Sequence, residues 1–309
     1  MRVAAVDLGT NTTRLLVADV EHGRVLDVVR REAITRMGES VDRRRILLPT
    51  AIARVRNVLV DYRRETEQLG AERVLAVGTS AVRDADNGEA FLGEVEWSYG
   101  FTTRLLDGGE EAELVVRGVS SERTLGDGTL VVDIGGGSTE LVTVSADRIA
   151  WAVSTEAGSV RLTERFLHAD PPSREELETC ALHVRSLLPD MDVTQAVGVA
   201  GTVTTAAAVL LGGPPTVHGR QLRRDGVATV LARLASMRLD DRARVPGLAP
   251  ERAPVIVAGL VTLLEILDRY RLSALDVSER DLLDGAALVA AELPEPEEGL
   301  VPPMAFTCC

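Results

Sequence analysis

Lysine is absent from this chain of 309 residues, whose 34 basic side chains are all arginine. A GxxxxGKS/T phosphate loop is thereby excluded, because its lysine is the group that reaches the phosphates. GxSxG, HExxH and CxxC are missing too, so none of those catalytic signatures competes for the chain. Cysteine is scarce: Cys180 lies inside a helical pattern, and Cys308 and Cys309 form the C-terminal tip. None has metal-ligand spacing or a disulfide partner in the sequence, which fits a reducing compartment, and Cys180 reads as a buried apolar residue. The four histidines, His22, His168, His183 and His218, fall in turns or on helix faces and are assigned surface roles. No uncharged apolar run is long enough to cross a bilayer, and MRVAAVDLGTN lacks a secretory cleavage pattern, so no membrane partner and a cytoplasmic location are expected. The net charge of −13 argues against broad nucleic-acid binding, which needs a positive surface. It also sets a condition on any phosphate site, which must bring its own positive potential from metal, arginine or backbone N–H groups.

What is present is a glycine-rich acidic loop that occurs twice. Asp7-Leu8-Gly9-Thr10-Asn11-Thr12-Thr13-Arg14 follows one apolar run, and Asp133-Ile134-Gly135-Gly136-Gly137-Ser138-Thr139-Glu140 follows another, 126 positions later. Each reads as strand, tight turn, strand. Turns of this kind present N–H groups and small hydroxyls to an anion, while the aspartate ending the incoming strand can hold a divalent cation or order a water. The first loop, Gly9 to Thr12, is also explained by a hairpin that needs glycine and asparagine for its backbone angles. The second exceeds what a hairpin requires. Its three glycines, Gly135, Gly136 and Gly137, followed by Ser138, leave backbone open to a ligand, and Asp133 ends a wholly apolar strand where an unpaired carboxylate is costly.

Around the loops, strands are expected at 3–8, 14–20, 24–31, 74–77 and 102–106, with helices at 49–69, 88–97 and 110–119. The order then restarts: strands at 130–133, 140–145, 149–155 and 196–200, helices at 158–167, 173–188 and 203–210, two helical segments at 224–237 and 252–270, a strand at 275–278 and a last helix at 281–293. The repeated βββαβα unit predicts an α/β protein of two domains, 1–125 and 126–293, with insertions in the second. The last helix is a candidate to pack on the first domain. From Pro294 the tail PEPEEGLVPPMAFTCC reads as poorly ordered.

Further candidates lie at junctions. Asp107 and Glu110 have capping-box spacing, so Glu110 has a structural explanation; Glu111, in the first helical turn after Gly108-Gly109, stands where open α/β sheets gather ligands and where a general base for water attack could be held. Arg83 either pairs with Asp84 or Asp86 or clamps a phosphate in bidentate fashion. Gly201 and Thr202 follow a strand and open a helix, a place suited to an anion.

Taken in order, DLGTNTTRLLVADV, GTSAVRDADN, GGEEAELVVRGV, LVVDIGGGSTELV, GVAGTVTT and VSERDLLDG resemble the exopolyphosphatase and guanosine pentaphosphate phosphohydrolase family, within the sugar kinase, heat-shock protein and actin superfamily. The resemblance runs from about residue 2 to residue 290, and GGEEA placed before DIGGGSTE is its most specific part. It implies two ribonuclease-H-like domains with the active site in the cleft between them. It further implies Glu111 as general base, Asp133 and Glu140 as the acidic residues associated with Mg²⁺ with Glu111 beside them, Asp7 opening the first phosphate loop, and Arg83 as the arginine of a T-x-x-x-R segment. The expected activity is Mg²⁺-dependent release of orthophosphate from the end of inorganic polyphosphate; guanosine pentaphosphate is the alternative substrate, and a homodimer is expected. Longer relatives continue into an HD-type helical domain and a further C-terminal domain, so this chain resembles the short form. VPGLAPERAPVIVAG matches the family loosely, and the segment around Gly259 lacks the paired glycines of the superfamily's adenosine motif. The rival from another class is an actin-like scaffold that binds phosphate compounds without turnover.

Overall fold

The apolar run before the first loop becomes the central strand of a sheet, buried at every position from Val3 to Leu8. A computed structural model describes residues 1–145, 148–213 and 216–294; the tail from residue 295, with Cys308 and Cys309, lies outside the described residues. The chain divides into two compact units, one of Met1–Glu122 together with the chain from Leu282 on, the other Arg123–Asp281.

In the first unit β1 (Arg2–Leu8), β2 (Thr12–Glu21) and β3 (Arg24–Ile34) form an antiparallel meander. Then follow α1 (Val41–Arg44), α2 (Pro49–Gln68), β4 (Arg73–Gly78), α3 (Ser80–Asp84), α4 (Gly88–Tyr99), β5 (Thr102–Leu105) and α5 (Gly108–Ser120). The sheet order is β3-β2-β1-β4-β5, with β1, β4 and β5 parallel. α2 begins with proline at its first position, where the missing N–H costs nothing, and buries Ala51, Val55, Leu59, Tyr62 and Thr66 along one stripe. The Tyr62 hydroxyl donates to the Thr13 carbonyl at 2.9 Å, which ties this helix to the strand leaving the first loop.

The second unit restarts with β6 (Thr129–Ile134), β7 (Thr139–Ser145) and β8 (Arg148–Thr155), then α6 (Ser159–Phe166), α7 (Arg174–Leu187), β9 (Gln195–Val199), α8 (Ala200–Leu211), β10 (Gln221–Arg223), α9 (Arg224–Ala235), α10 (Leu239–Arg242), a 3₁₀ turn at Pro250–Arg252, α11 (Ile256–Arg269) and β11 (Ala274–Val277). Its sheet, β10-β11-β9-β6-β7-β8, repeats the order of the first from the other end with β10 added at the edge. Both units are thus α/β with the ribonuclease-H-like strand order. β6, TLVVDI, is buried at all positions, as a central strand covered on both faces must be.

The chain ends its described part with α12 (Leu282–Glu292), which belongs to the first unit and packs on α5 and β1. Two features require that placement. A Cβ on Gly285 would stand 2.0 Å from the Leu114 carbonyl oxygen, so the helices touch backbone to backbone there. Asp284, wholly buried, accepts from Arg30 Nη2 at 2.8 Å.

Some elements depart from the expectation. The helix expected from Arg252 starts at Ile256, and the residues before it form a 3₁₀ turn at Pro250–Arg252 followed by a turn through Val255. β10, Gln221–Arg223, buries only Leu222 and is too short for its alternation to stand out. Among the described residues no helix is long and apolar enough to cross a membrane.

Arg242 holds the segment after α9. Its guanidinium is buried and donates to the carbonyls of Leu234 (3.0 Å), Met237 (2.9 Å) and Ala253 (3.1 Å), and burial pulls its pKa below the usual arginine value. Arg242→Met leaves three carbonyls to find water in a closed interior and is expected to cost about 3 kcal/mol, read as a lowered urea midpoint. Burial also pushes the Cys180 thiol up to about 12. In a variant carrying Cys308→Ser and Cys309→Ser, the native protein at pH 8 should therefore resist a thiol reagent that reacts at once in denaturant.

Candidate active site

Both repeated loops close as the same turn. The Gly9 N–H donates to the Thr12 carbonyl and the Gly135 N–H to the Ser138 carbonyl, each at 3.0 Å. These two amides are consumed inside their turns.

The carbonyls of the turns are also used. In the first loop the Thr10 oxygen accepts from the Gly38 N–H (2.8 Å) and the Asn11 oxygen from Thr35 (3.1 Å) and Arg36 (2.9 Å). In the second, Gly135 O accepts from the Ser159 N–H (2.9 Å) and Gly136 O from Val160 (2.8 Å) and Arg161 (3.2 Å), so the first turn of α6 is bound by the loop. Gly137 O accepts from Arg161 Nε at 2.8 Å. A planar trans peptide points its N–H opposite to its C=O. Fixing these carbonyls on one side therefore turns the amides of Asn11 and Thr12 in one unit, and of Gly136, Gly137 and Ser138 in the other, to the opposite side.

The flanking strands place two residues face to face. Asp7 pairs with Arg14 in the β1–β2 register, and Asp133 with Glu140 in the β6–β7 register. The two positions are equivalent, yet they carry opposite chemistry. Arg14 donates to Asp7 Oδ2 through Nε (2.9 Å) and Nη2 (2.8 Å), so the first hairpin neutralises itself. In the second hairpin both members are acids, and both are buried, Asp133 at 6% exposure and Glu140 at 3%. Directly opposed side chains share one face of the sheet with Cβ atoms about 5 Å apart, and like charges there destabilise the pair. The Ser154 hydroxyl, opposite Glu140 on β8, donates to Glu140 Oε1 at 2.7 Å. Among the described residues no group of three or more His, Cys, Asp or Glu side chains forms a protein-only metal cage. Two carboxylates suit Mg²⁺, which keeps waters and takes its other ligands from substrate phosphates.

In the first unit Glu111 lies in the first turn of α5, buried at 4% exposure. The expected capping box is present: Asp107 Oδ1 accepts from Gly109 (2.8 Å) and Glu110 (2.9 Å), and Glu110 Oε2 accepts from the Asp107 N–H (2.9 Å). It fixes the start of the helix and leaves Glu111 on the inner face. Arg83 lies in α3. Its Nη1 donates to Glu111 Oε1 and, at 2.7 Å, to the Leu106 carbonyl. The structure thus brings together two residues 28 positions apart, and the guanidinium offsets the charge of the carboxylate.

Gly201 and Thr202 follow β9 and lie in the first turn of α8, as expected. The left-handed residue is Ala200, at φ 61°, and Gly201 sits in the first turn of α8. What Gly201 provides is space, since a Cβ there would stand 1.7 Å from Arg252 Nη1. Thr202 turns its hydroxyl to the Ile134 carbonyl at 3.4 Å, which fastens α8 to the end of β6.

Arg14, Ser154, Arg161 and Arg252 were not singled out from the sequence. Arg14 had a signal, because it occupies in the first loop the place of Glu140 in the second; Arg161 and Arg252 had none among 34 arginines.

A profile of the Ppx/GppA phosphatase family matches residues 16–291. The chain is similar to a protein of Mycobacterium tuberculosis named Exopolyphosphatase 2, with 38% identity over 94% of this chain and 98% of that one. Among solved structures, it resembles a Ppx/GppA family member of Aquifex aeolicus (30% identity, TM-score 0.79, covering 94% of this chain and 98% of that one). An exopolyphosphatase from Cytophaga hutchinsonii is similar at 25% identity and TM-score 0.86, covering 92% of this chain and 96% of that one.

The close approach of α6 to the second loop can be tested without activity. A Cβ on Gly158 would lie 2.2 Å from Gly137 C and 2.4 Å from Gly136 O, both backbone atoms. Gly158→Ala is expected to cost about 2 kcal/mol in urea denaturation. Gly93→Ala, in α4 with open space around it, should be neutral or stabilising by about 0.5 kcal/mol.

Proposed function

The chain belongs to the Ppx/GppA phosphatase family and is a hydrolase of phosphoanhydride bonds, and from that premise we propose that it removes orthophosphate from the end of linear inorganic polyphosphate. The observation that carries the reading is the hairpin in which buried Asp133 and Glu140 oppose each other beside a glycine turn with its carbonyls bound on one side. The name and near-complete coverage of the Mycobacterium tuberculosis relative support polyphosphate as the substrate.

Asp133 and Glu140 would hold Mg²⁺, which when bound supplies positive charge against the phosphoryl oxygens. The amides of Gly136, Gly137 and Ser138 donate to phosphoryl oxygens, as do those of Asn11 and Thr12, with the Thr10 and Thr12 hydroxyls beside them. Asp7, neutralised by Arg14, shapes the first turn without repelling the chain of phosphates. Glu111 takes the proton of the attacking water, and Arg83 keeps its carboxylate aimed. The new bond forms between water oxygen and the terminal phosphorus; the bridging P–O bond breaks, and the shortened polymer leaves with its oxygen anionic. Positioning and charge stabilisation are most of what phosphoryl transfer demands, so no covalent protein nucleophile is needed. Thr202 supports the second hairpin through its hydroxyl bond to the Ile134 carbonyl.

The reading is tested by measuring orthophosphate release from polyphosphates of graded length with guanosine pentaphosphate in competition. Release from the polymer with weak inhibition by the nucleotide is expected, and a strong preference for the nucleotide would replace the substrate. Glu111→Gln should keep the fold and polymer binding and lower turnover by about 10² or more. Turnover near the wild-type value in that variant removes Glu111 from its role.

A further inference from the structure

Building on the phosphate-binding role proposed for the second hairpin, we propose that Arg161 is a positioning residue that holds the Gly135-Gly136-Gly137 turn in its phosphate-receiving shape. Of the carbonyls in that turn, Gly135 O and Gly136 O are held by backbone amides of α6, which any side chain at those positions would leave intact. Gly137 O is held by a side chain, Arg161 Nε, at 2.8 Å. Three successive glycines carry no Cβ to restrict them and lose the most conformational freedom on ordering. The peptide between Gly137 and Ser138 consequently owes its orientation to this contact, and with it the direction of the Ser138 N–H.

The surroundings favour a designed contact over a chance one. Arg161 is 7% exposed, and its charge is met by Glu156, whose Oε1 is 4.0 Å from Nη1 and whose Oε2 also accepts from Arg165 at 3.1 Å. The approach of α6 is set by Gly158, by the Ser159 hydroxyl on Gly135 O (3.1 Å) and by the Thr139 hydroxyl on the Ala157 carbonyl (2.8 Å). The first hairpin has no equivalent need. Its Asn11 carbonyl is held by two backbone amides, and its turn carries the side chains of Thr10, Asn11 and Thr12.

The experiment compares wild type, Arg161→Met and Arg161→Lys. It measures kcat and KM for orthophosphate release, affinity for inorganic tripolyphosphate by calorimetry, and thermal melting by circular dichroism. Arg161→Met is expected to lower kcat by about 10-fold to 100-fold and to weaken tripolyphosphate binding by about fivefold. Arg161→Lys should recover part of both, since an ammonium reaches the same carbonyl without the fixed fork. Values of kcat and affinity within twofold of wild type in folded Arg161→Met overturn the proposal, as do losses in the two variants that merely follow melting temperature. If Arg161→Met does not fold, Arg161→Lys decides: lowered kcat at wild-type melting supports the role, and unchanged kcat overturns it. A wild-type protein that releases no orthophosphate from any polyphosphate fails the proposed function instead, and the tripolyphosphate affinities still read the role of Arg161.

Discussion

Two carboxylates directly opposite one another on hydrogen-bonded strands are the constraint around which the second unit is built. Asp133 and Glu140 share a face, and both are buried. Charges of one sign so placed repel, and burial deprives them of the water that would soften the repulsion. The first unit meets the same geometry with the opposite sign, because Arg14 stands where Glu140 does and binds Asp7 with two donors. A single position in a duplicated hairpin therefore separates a turn whose acid faces an arginine from one in which two acids stand opposed, the place proposed above for Mg²⁺. For a chain with net charge −13, that hairpin is the place proposed above for the cation and its polyanionic substrate.

The remaining structure fixes this arrangement. β6 lies between β7 and β9, and its pairing with them sets Asp133 opposite Glu140 on one side and beside Val199 on the other. β8 sets Ser154 against Glu140, and α6 fastens the glycine turn by its carbonyls. In the first unit the segment from Thr35 to Gly38 does for one turn what α6 does for the other. The capping box at Asp107 and the close packing of α12 at Gly285 hold α5, which brings Glu111 to Arg83. Backbone groups that would be a liability in a loop become an organised surface once one side of each peptide is occupied.

Much of this was legible in the sequence, and the reasons are local. Alternation and apolar runs gave the strands of both meanders, the 126-residue offset revealed the duplication, and Asp107 with Glu110 foretold the capping box. Pairings made by the fold were not legible. Arg83 looks toward Asp84 in sequence, but the strand-to-helix crossovers bring it to Glu111. Gly201 looks like a turn glycine, whereas its neighbour Ala200 takes the left-handed angle and Gly201 makes room for Arg252. Arg161 carries no signal, since nothing in one sequence distinguishes the arginine that reaches a carbonyl from those that lie in water.

The claim that the charge at one hairpin position decides cation binding is tested most directly by calorimetric titration of Mg²⁺, with Mn²⁺ as a spectroscopic check, into wild type and Glu140→Arg. That substitution gives the second hairpin the charge pairing of the first. The account predicts a folded variant whose divalent-cation affinity falls by about 100-fold or more, while wild type binds. A folded variant that binds the cation as tightly as wild type would contradict it.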